Sequence, residues 1–147
     1  MQTLVSAFRA LDREEIDQLL ARNRVGRLAY ALHHNVDVET VPYVYDSSWV
    51  YGRITPGMKV APASHHQFVA FEVDEVVSAV EWRSAVVRGA FYVLPPEGSV
   101  PERKAYERAR ALLDEALPQP GSGEADVPLF RIPAYHATGR ACEGLPG

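Results

Sequence analysis

RVGRLAYALHHNVDVETVPYVYDSSWVYGRITPGMK, residues 24–59, decides the fold. Gly26, Leu28, Tyr30 and Leu32 alternate with Val25, Arg27, Ala29 and Ala31, and a period of two is the signature of a β-strand. His33-His34-Asn35 follows as a polar turn. Val36 to Asp46 resumes as a strand, with Val41, Tyr43 and Tyr45 on one side and Val38, Thr40 and Val44 on the other. The two segments therefore read as a hairpin. Pro42 cannot donate to a ladder, which places it at an edge, a bulge or a ligand-facing position. Asp46-Ser47-Ser48 turns the chain into a further strand, Trp49–Ile54, rich in β-favouring residues. At Thr55-Pro56-Gly57 the residue type changes. Thr55 suits a helix cap, Pro56 a first helical position, and Gly57 a close approach of backbone to ligand. Arg53 and Lys59 flank this turn, and cations beside free helical N–H groups attract a phosphate or carboxylate. The local pattern alone reads equally as an ordinary strand-to-helix connection with two solvated cations.

Outward from this stretch the same two periods alternate. Asp12 with Glu15 forms a capping box and Leu11 can staple onto Ile16, so a short helix with Ile16, Leu19 and Leu20 on one face runs to about Asn23. After Gly57 a short helical piece is limited by Pro62 and followed by His65-His66. Gln67–Asp74 alternates as a strand, and Glu81–Leu94 is a longer one in which Gly89 suggests a bulge or bend. Ser99 and Glu102 form a second capping box with Pro101 in the first turn. The helix they start buries Ala105, Ala109, Leu112, Leu113 and Ala116 and ends near Leu117. Pro118–Asp126 has linker composition, Val127–Ile132 is a last alternating strand, and Tyr135–Arg140 follows it. About six strands with three helical pieces predict a mainly β fold, a small antiparallel barrel with peripheral helices.

Composition narrows the function. The chain of 147 residues is long enough for one cored domain, taken as residues 1–147, and its 47% apolar and 23% charged residues are those of a soluble protein. A net charge of −4 disfavours nucleic-acid binding through a broad basic surface. Cys142 is the single cysteine, which excludes an intrachain disulfide and a cysteine-rich zinc site. No stretch has the length of a membrane span and the first residues lack a signal pattern, so a cytoplasmic location is expected. His33-His34 and His65-His66 lack metal-ligand spacing, and no metal site is expected. Ser64 and Ser84 have no nucleophile-elbow context, and Cys142 has no evident activating partner. Glu72, Asp74 and Glu75 read as solvated charges at a strand end. Arg103, Lys104, Arg108 and Arg110 are interleaved with acids on a solvated helix face. Trp82-Arg83-Ser84, an aromatic, a cation and a hydroxyl, would suit a flat heteroaromatic ligand with polar edges, and equally a set of barrel-rim residues.

The series NRVGRLAYA, VPYVYDSSWVYGRITPGMK, FVAFEVDEV, EWRSAVVRGAFYVL and LFRIPAYHATGR resembles the flavin-binding split-barrel proteins related to pyridoxamine 5′-phosphate oxidase, nearest to the nitroimidazole-resistance-like branch. The resemblance covers Leu11 to Arg140. It implies a six-stranded antiparallel split β-barrel of Greek-key type that forms a homodimer, with FMN in two clefts at the dimer interface. Carried over by position, Thr40, Val41, Pro42 and Tyr43 run along the isoalloxazine and offer main-chain contacts. Arg53 and Ile54 face the ribityl chain and phosphate, and Lys59 binds the phosphate. Arg83 and Ser84 approach the polar edge of the ring, and His136 and Arg140 are further candidates from the partner chain. Two departures stand out: the branch usually has His-Thr where this chain has Arg53-Ile54, and commonly a basic residue at Met58. A hydroxyl and a charge are missing, while Arg53 restores a cation capable of a bidentate clamp. The implied activity is an FMN-dependent oxidation or reduction of a small organic molecule, in which the flavin carries the chemistry. The alternative is a non-catalytic carrier of flavin, deazaflavin or haem.

Overall fold

The computed structural model describes residues 8–60, 67–118 and 127–144. Through these residues run β1 (Phe8–Ala10), α1 (Arg13–Arg22), β2 (Val25–Leu32), β3 (Asn35–Pro42), β4 (Val44–Asp46), β5 (Trp49–Arg53), β6 (Phe68–Ser78), β7 (Glu81–Ala90), β8 (Tyr92–Leu94), α2 (Val100–Ala116), β9 (Leu129–Pro133) and β10 (His136–Glu143). The strands form two antiparallel sheets, one ordered β1-β10-β7-β6-β2-β3 and one ordered β4-β5-β9-β8. The result is the mainly β split barrel with peripheral helices that the sequence predicts.

The strand count rises from about six to ten: two expected strands break where the chain changes sheet, and β1 and β10 add two more. Val36–Asp46 divides at Tyr43, and Glu81–Leu94 divides at Phe91. At each break the chain leaves the six-stranded sheet for the four-stranded one, and at Ala134 it crosses back. All three corner residues are fully buried. Their N–H groups find partners outside the ladders: Tyr43 donates to Arg24 O (2.9 Å), Phe91 to Gln67 O (2.8 Å) and Ala134 to Ser48 O (2.8 Å). A buried corner is tolerable only with its amide satisfied in this way. Gly89, expected at a bulge or bend, pairs regularly with Val69, and the chain turns its corner two residues later at Phe91; the register shift lies at Val76/Ser78. Gly89 is needed for a different reason, since a Cβ there would lie 2.8 Å from Pro133 O. Phe8–Ala10 was not anticipated as a strand. It pairs with β10, which places Cys142 opposite Phe8. Cys142 is 2% exposed, and its thiol points at Val80 O (3.1 Å).

Between the sheets lies a core in which Phe91 and Phe130 stack (ring centroids 4.7 Å apart) and Tyr43 meets Phe71 edge-on at 5.0 Å. The capping box starts α1 as expected: Asp12 Oδ1 accepts from Glu15 N (2.9 Å), and Glu15 Oε1 accepts from Asp12 N (3.1 Å). Ile16, Leu19 and Leu20 then close one end of the core, each burial being worth roughly 1.5–3 kcal/mol. Ser99 Oγ accepts from Glu102 N at the start of α2. That helix lays Tyr106, Ala109 and Leu113 on Val44, Tyr51, Leu94 and Leu129 of the four-stranded sheet. Ala105, Leu112 and Ala116, expected to be buried, are only partly so. Tyr106 takes the central place because its hydroxyl reaches Val127 O (2.9 Å), satisfying its one polar atom. No helix among the described residues is long and apolar enough to cross a membrane. Val60 begins the helical piece expected after the Thr-Pro-Gly turn; Pro62, His65-His66 and residues 119–126 of the expected linker lie outside the described residues.

Both predicted polar turns are two-residue hairpin loops. Leu32 pairs with Asn35 and Asp46 with Trp49, and His33, His34, Ser47 and Ser48 all have positive φ, between 49° and 68°. Such loops match the strand twist but favour Asn-Gly over residues that resist this backbone region. Replacing Ser47-Ser48 by Asn-Gly is expected to raise stability by about 0.5–1 kcal/mol, read as a higher denaturant midpoint at unchanged slope.

Candidate functional site

β3 is the outermost strand of its sheet, so one row of its N–H and C=O groups is not used by the ladder. Facing this edge is the end of β5 with the turn after it, and between them opens a cleft of about 280 Å3. Thr40, Val41 and Pro42 form one wall; Arg53 and Thr55–Met58 form the other. Pro42 is thus both at an edge and ligand-facing, two of the positions its missing N–H allows.

The Thr-Pro-Gly segment is not a helix cap. Met58 N donates to Thr55 O (3.2 Å) and Gly57 has φ +98°, which with Pro at the second position and Gly at the third is a type II β-turn. The turn preference of Pro-Gly outweighs the capping preference of Thr55, and helical backbone begins only at Val60. A Cβ added at Gly57 would meet nothing within 4 Å, so the turn faces open space.

Two cations serve this cleft differently. The Arg53 side chain is 12% exposed and held by Asp114 of α2 (3.0 Å), while Lys59 is 65% exposed and only 3.9 Å from Asp37. Arg53 is therefore preset by the helix, and Lys59 is free to move. Glu39 also lines the cleft. Its Oε1 accepts from the Tyr30 hydroxyl (2.8 Å), and its Oε2 is buried without a partner. Burial, with Glu39 and then Asp37, pushes the Tyr30 phenol up to about 12, so it remains a donor at neutral pH. An open strand edge, apolar Val41, Pro42 and Met58, preset Arg53 and an acceptor lacking a donor together fit a planar ring with polar edges joined to an anionic group.

Residues 12–141 match the family model described as pyridoxamine 5′-phosphate oxidase. The chain belongs to this family. A solved structure similar to it is that of an FAD-binding protein from Mesorhizobium loti, 29% identical, with 91% of this chain and 97% of that one covered at a TM-score of 0.68. The FAD binding protein from Mycobacterium smegmatis is 21% identical over 92% of this chain and 98% of that one, with a TM-score of 0.70. An FAD and heme binding protein from Mycobacterium smegmatis is 15% identical, covers 96% of this chain and 76% of that one, and has a TM-score of 0.71. The last two show the shared fold.

Within this family member the residues singled out in the sequence do not all meet. Thr40, Val41, Pro42 and Arg53 converge on the cleft, with Lys59 just beyond the turn. Tyr43 is turned into the core, with its hydroxyl donating to Leu20 O (2.6 Å), and burial raises its pKa. Ile54 packs partly against the core, and its N–H donates to Pro128 O (3.0 Å). Arg83 and Ser84 are neighbours on β7, so they point to opposite faces. Arg83 lies 3.8 Å from Glu15, and Ser84 shares the outer face with Pro42 three strands away, about 14 Å. His136 and Arg140 lie on that outer face too, and both are exposed. Two residues were missed. Asp114 carries no local signal, but Glu39 does: it has the parity of Val41 and Tyr43, so alternation sends a carboxyl toward the core.

On the outer face beside Thr40, Arg27 reaches both Glu72 (3.3 Å) and Asp74 (3.1 Å). The pair is thus a structured cluster rather than a solvated strand end; Glu75 points the other way, to Arg22 (2.6 Å) and Asn23 (2.8 Å). Burial, then the neighbouring Asp74, raises Glu72 from 4.5 to about 7. Between those values the folded chain holds more of the proton than the unfolded chain, so stability falls as pH rises through this window and stays lower above it. Glu72→Gln is expected to raise the melting temperature at pH 8 and leave it nearly unchanged at pH 4.

Proposed function

We propose that this protein is a cytoplasmic, homodimeric flavoprotein that binds FMN in the cleft beside β3 and oxidises or reduces a small organic molecule. The observation that carries the reading is the convergence of an open strand edge, the preset guanidinium of Arg53 and the type II turn on one cleft. Main-chain groups of Thr40–Pro42 meet the polar edge of the ring, Val41, Pro42 and Met58 keep water from it, and Arg53 with Lys59 binds the phosphate. Arg83 and Ser84, too far from the cleft in their own chain, serve the cleft of the second copy. The bound flavin supplies the hydride or electron transfer. FAD is the second reading, favoured by the three similar solved structures that carry it in their names. A carrier role, for flavin, deazaflavin or haem, is separated from catalysis by turnover.

The purified protein is expected to show a flavin absorbance spectrum, or to acquire one with added FMN; chromatography of the released cofactor distinguishes FMN from FAD. A protein that stays colourless with both, or shows a Soret band instead, ends this reading. Reduction by a nicotinamide cofactor followed by turnover of an acceptor marks an enzyme. Arg53→Ala with Lys59→Ala should lower FMN affinity about 100-fold, since charge-assisted contacts are worth some 1.5–3 kcal/mol each. Riboflavin, which lacks the phosphate, should bind the double variant as it binds the parent.

A further inference from the structure

The charged side chains at the Lys59 end of the cleft do not cancel. Arg53 of β5 is held by Asp114 of α2 (3.0 Å), and Lys59 stands 3.9 Å from Asp37 of β3. Glu39 of β3 lines the same cleft, and among the described residues no cation pairs with it. Its Oε1 accepts from the Tyr30 hydroxyl of β2 (2.8 Å), and its Oε2 is buried with no donor. Tyr30 cannot serve both oxygens. A phenol has one hydrogen, which here goes to Oε1, and with its pKa pushed up to about 12 Tyr30 keeps that hydrogen through the neutral range. The backbone of Lys59 bears on the same hydroxyl, so the bare acceptor sits beside the residue that brings the second cation.

An acceptor without a donor is out of place in a cleft that takes anions. A fully ionised phosphate offers only acceptors, and its charge would face that of Glu39 at short range out of bulk water. A phosphate monoester that retains one proton has an O–H to give, and an O–H donated to a carboxylate is among the stronger hydrogen bonds. Such monoesters lose that proton near pH 6.

We propose that Glu39 makes the cleft selective for a phosphate monoester in its singly protonated form, the P–O–H donating to Glu39 Oε2 while Arg53 and Lys59 take the remaining oxygens. The inference rests on the FMN reading above and adds which ionisation state of the phosphate the cleft accepts. Above about pH 6, where free FMN is a dianion, each FMN that binds takes up one proton. Affinity therefore falls as pH rises, by about tenfold per pH unit. Glu72, raised to about 7, titrates in the same range, but it lies with Arg27 on the outer face of the sheet. Riboflavin, which has no phosphate, reports any contribution from it.

The test titrates the full chain, stripped of any bound flavin, with FMN and with riboflavin from pH 6.5 to pH 8.5 at constant ionic strength, reading flavin fluorescence. The Kd for FMN should rise about tenfold per pH unit while that for riboflavin stays level. Glu39→Gln keeps an oxygen for the Tyr30 hydroxyl and turns an N–H toward the phosphate. It should abolish the slope and bind FMN at least about tenfold more tightly than the parent at pH 8, with circular dichroism showing that it is folded. An FMN Kd that changes less than about threefold across the range, a slope shared by riboflavin, or a slope that persists in folded Glu39→Gln overturns the role of Glu39 and leaves the flavin reading standing. A chain that binds neither flavin at any pH removes that reading, and this inference with it.

Discussion

The architecture depends on how closely the two sheets approach one another over their aromatic core. Where β7 meets β9 of the other sheet, a Cβ at Gly89 would lie 2.8 Å from Pro133 O; within each sheet, Gly26 and Gly52 let the rings of Phe71 and Phe130 fold under the neighbouring strand, with Cζ 2.3 Å from where a Cβ would lie. No side chain larger than hydrogen fits at Gly26 or Gly52 without displacing a fully buried ring. With the sheets this near, a strand can leave one and enter the other within one residue, as at Tyr43 and Phe91, or within two, as at Ala134-Tyr135. The crossings in turn leave β3 as a free edge opposite the end of β5. The cleft is therefore a product of core packing, and its position follows from where the chain turns its corners.

The two helices have distinct bearings on the cleft. By closing the end of the core, α1 takes the hydroxyl of Tyr43 on its own carbonyl at Leu20, which withdraws that side chain from any ligand. From the opposite surface α2 reaches Arg53 through Asp114. An arginine held nearly out of water by a helix loses little side-chain freedom when it captures an anion. Lys59 would lose more, because it is mostly exposed.

Much of the fold was legible because period and turn chemistry act locally. Alternation located the strand segments, Asp12 with Glu15 and Ser99 with Glu102 located the helix starts, and His33-His34 and Ser47-Ser48 located the tight turns. Sheet changes were not legible, because Tyr43 and Phe91 continue the alternation of the strands they interrupt; their amides are redirected by partners distant in sequence. The Thr55 turn was misread for a related reason. Thr-Pro-Gly satisfies the statistics of a cap and of a type II turn together, and only the closing Met58 amide decides. Of the site, Thr40 to Pro42 and Arg53 were accessible through order and family resemblance. Asp114 was not, since a contact across 61 positions leaves no trace in a single sequence.

A strand edge left open for a ligand is also open to any passing polypeptide. Two inward-facing carboxyls on β3, Asp37 and Glu39, bear on that hazard. Each stands where alternation would put an apolar side chain, and charge pointing inward from an edge strand is one of the ways proteins discourage strand addition. A foreign strand docking along β3 would cover the partly exposed Asp37 and bring no new cation to offset either carboxyl. The features that make this edge poor as a core element thus guard it against aggregation, and they let the cleft stay open at cellular concentrations of other chains.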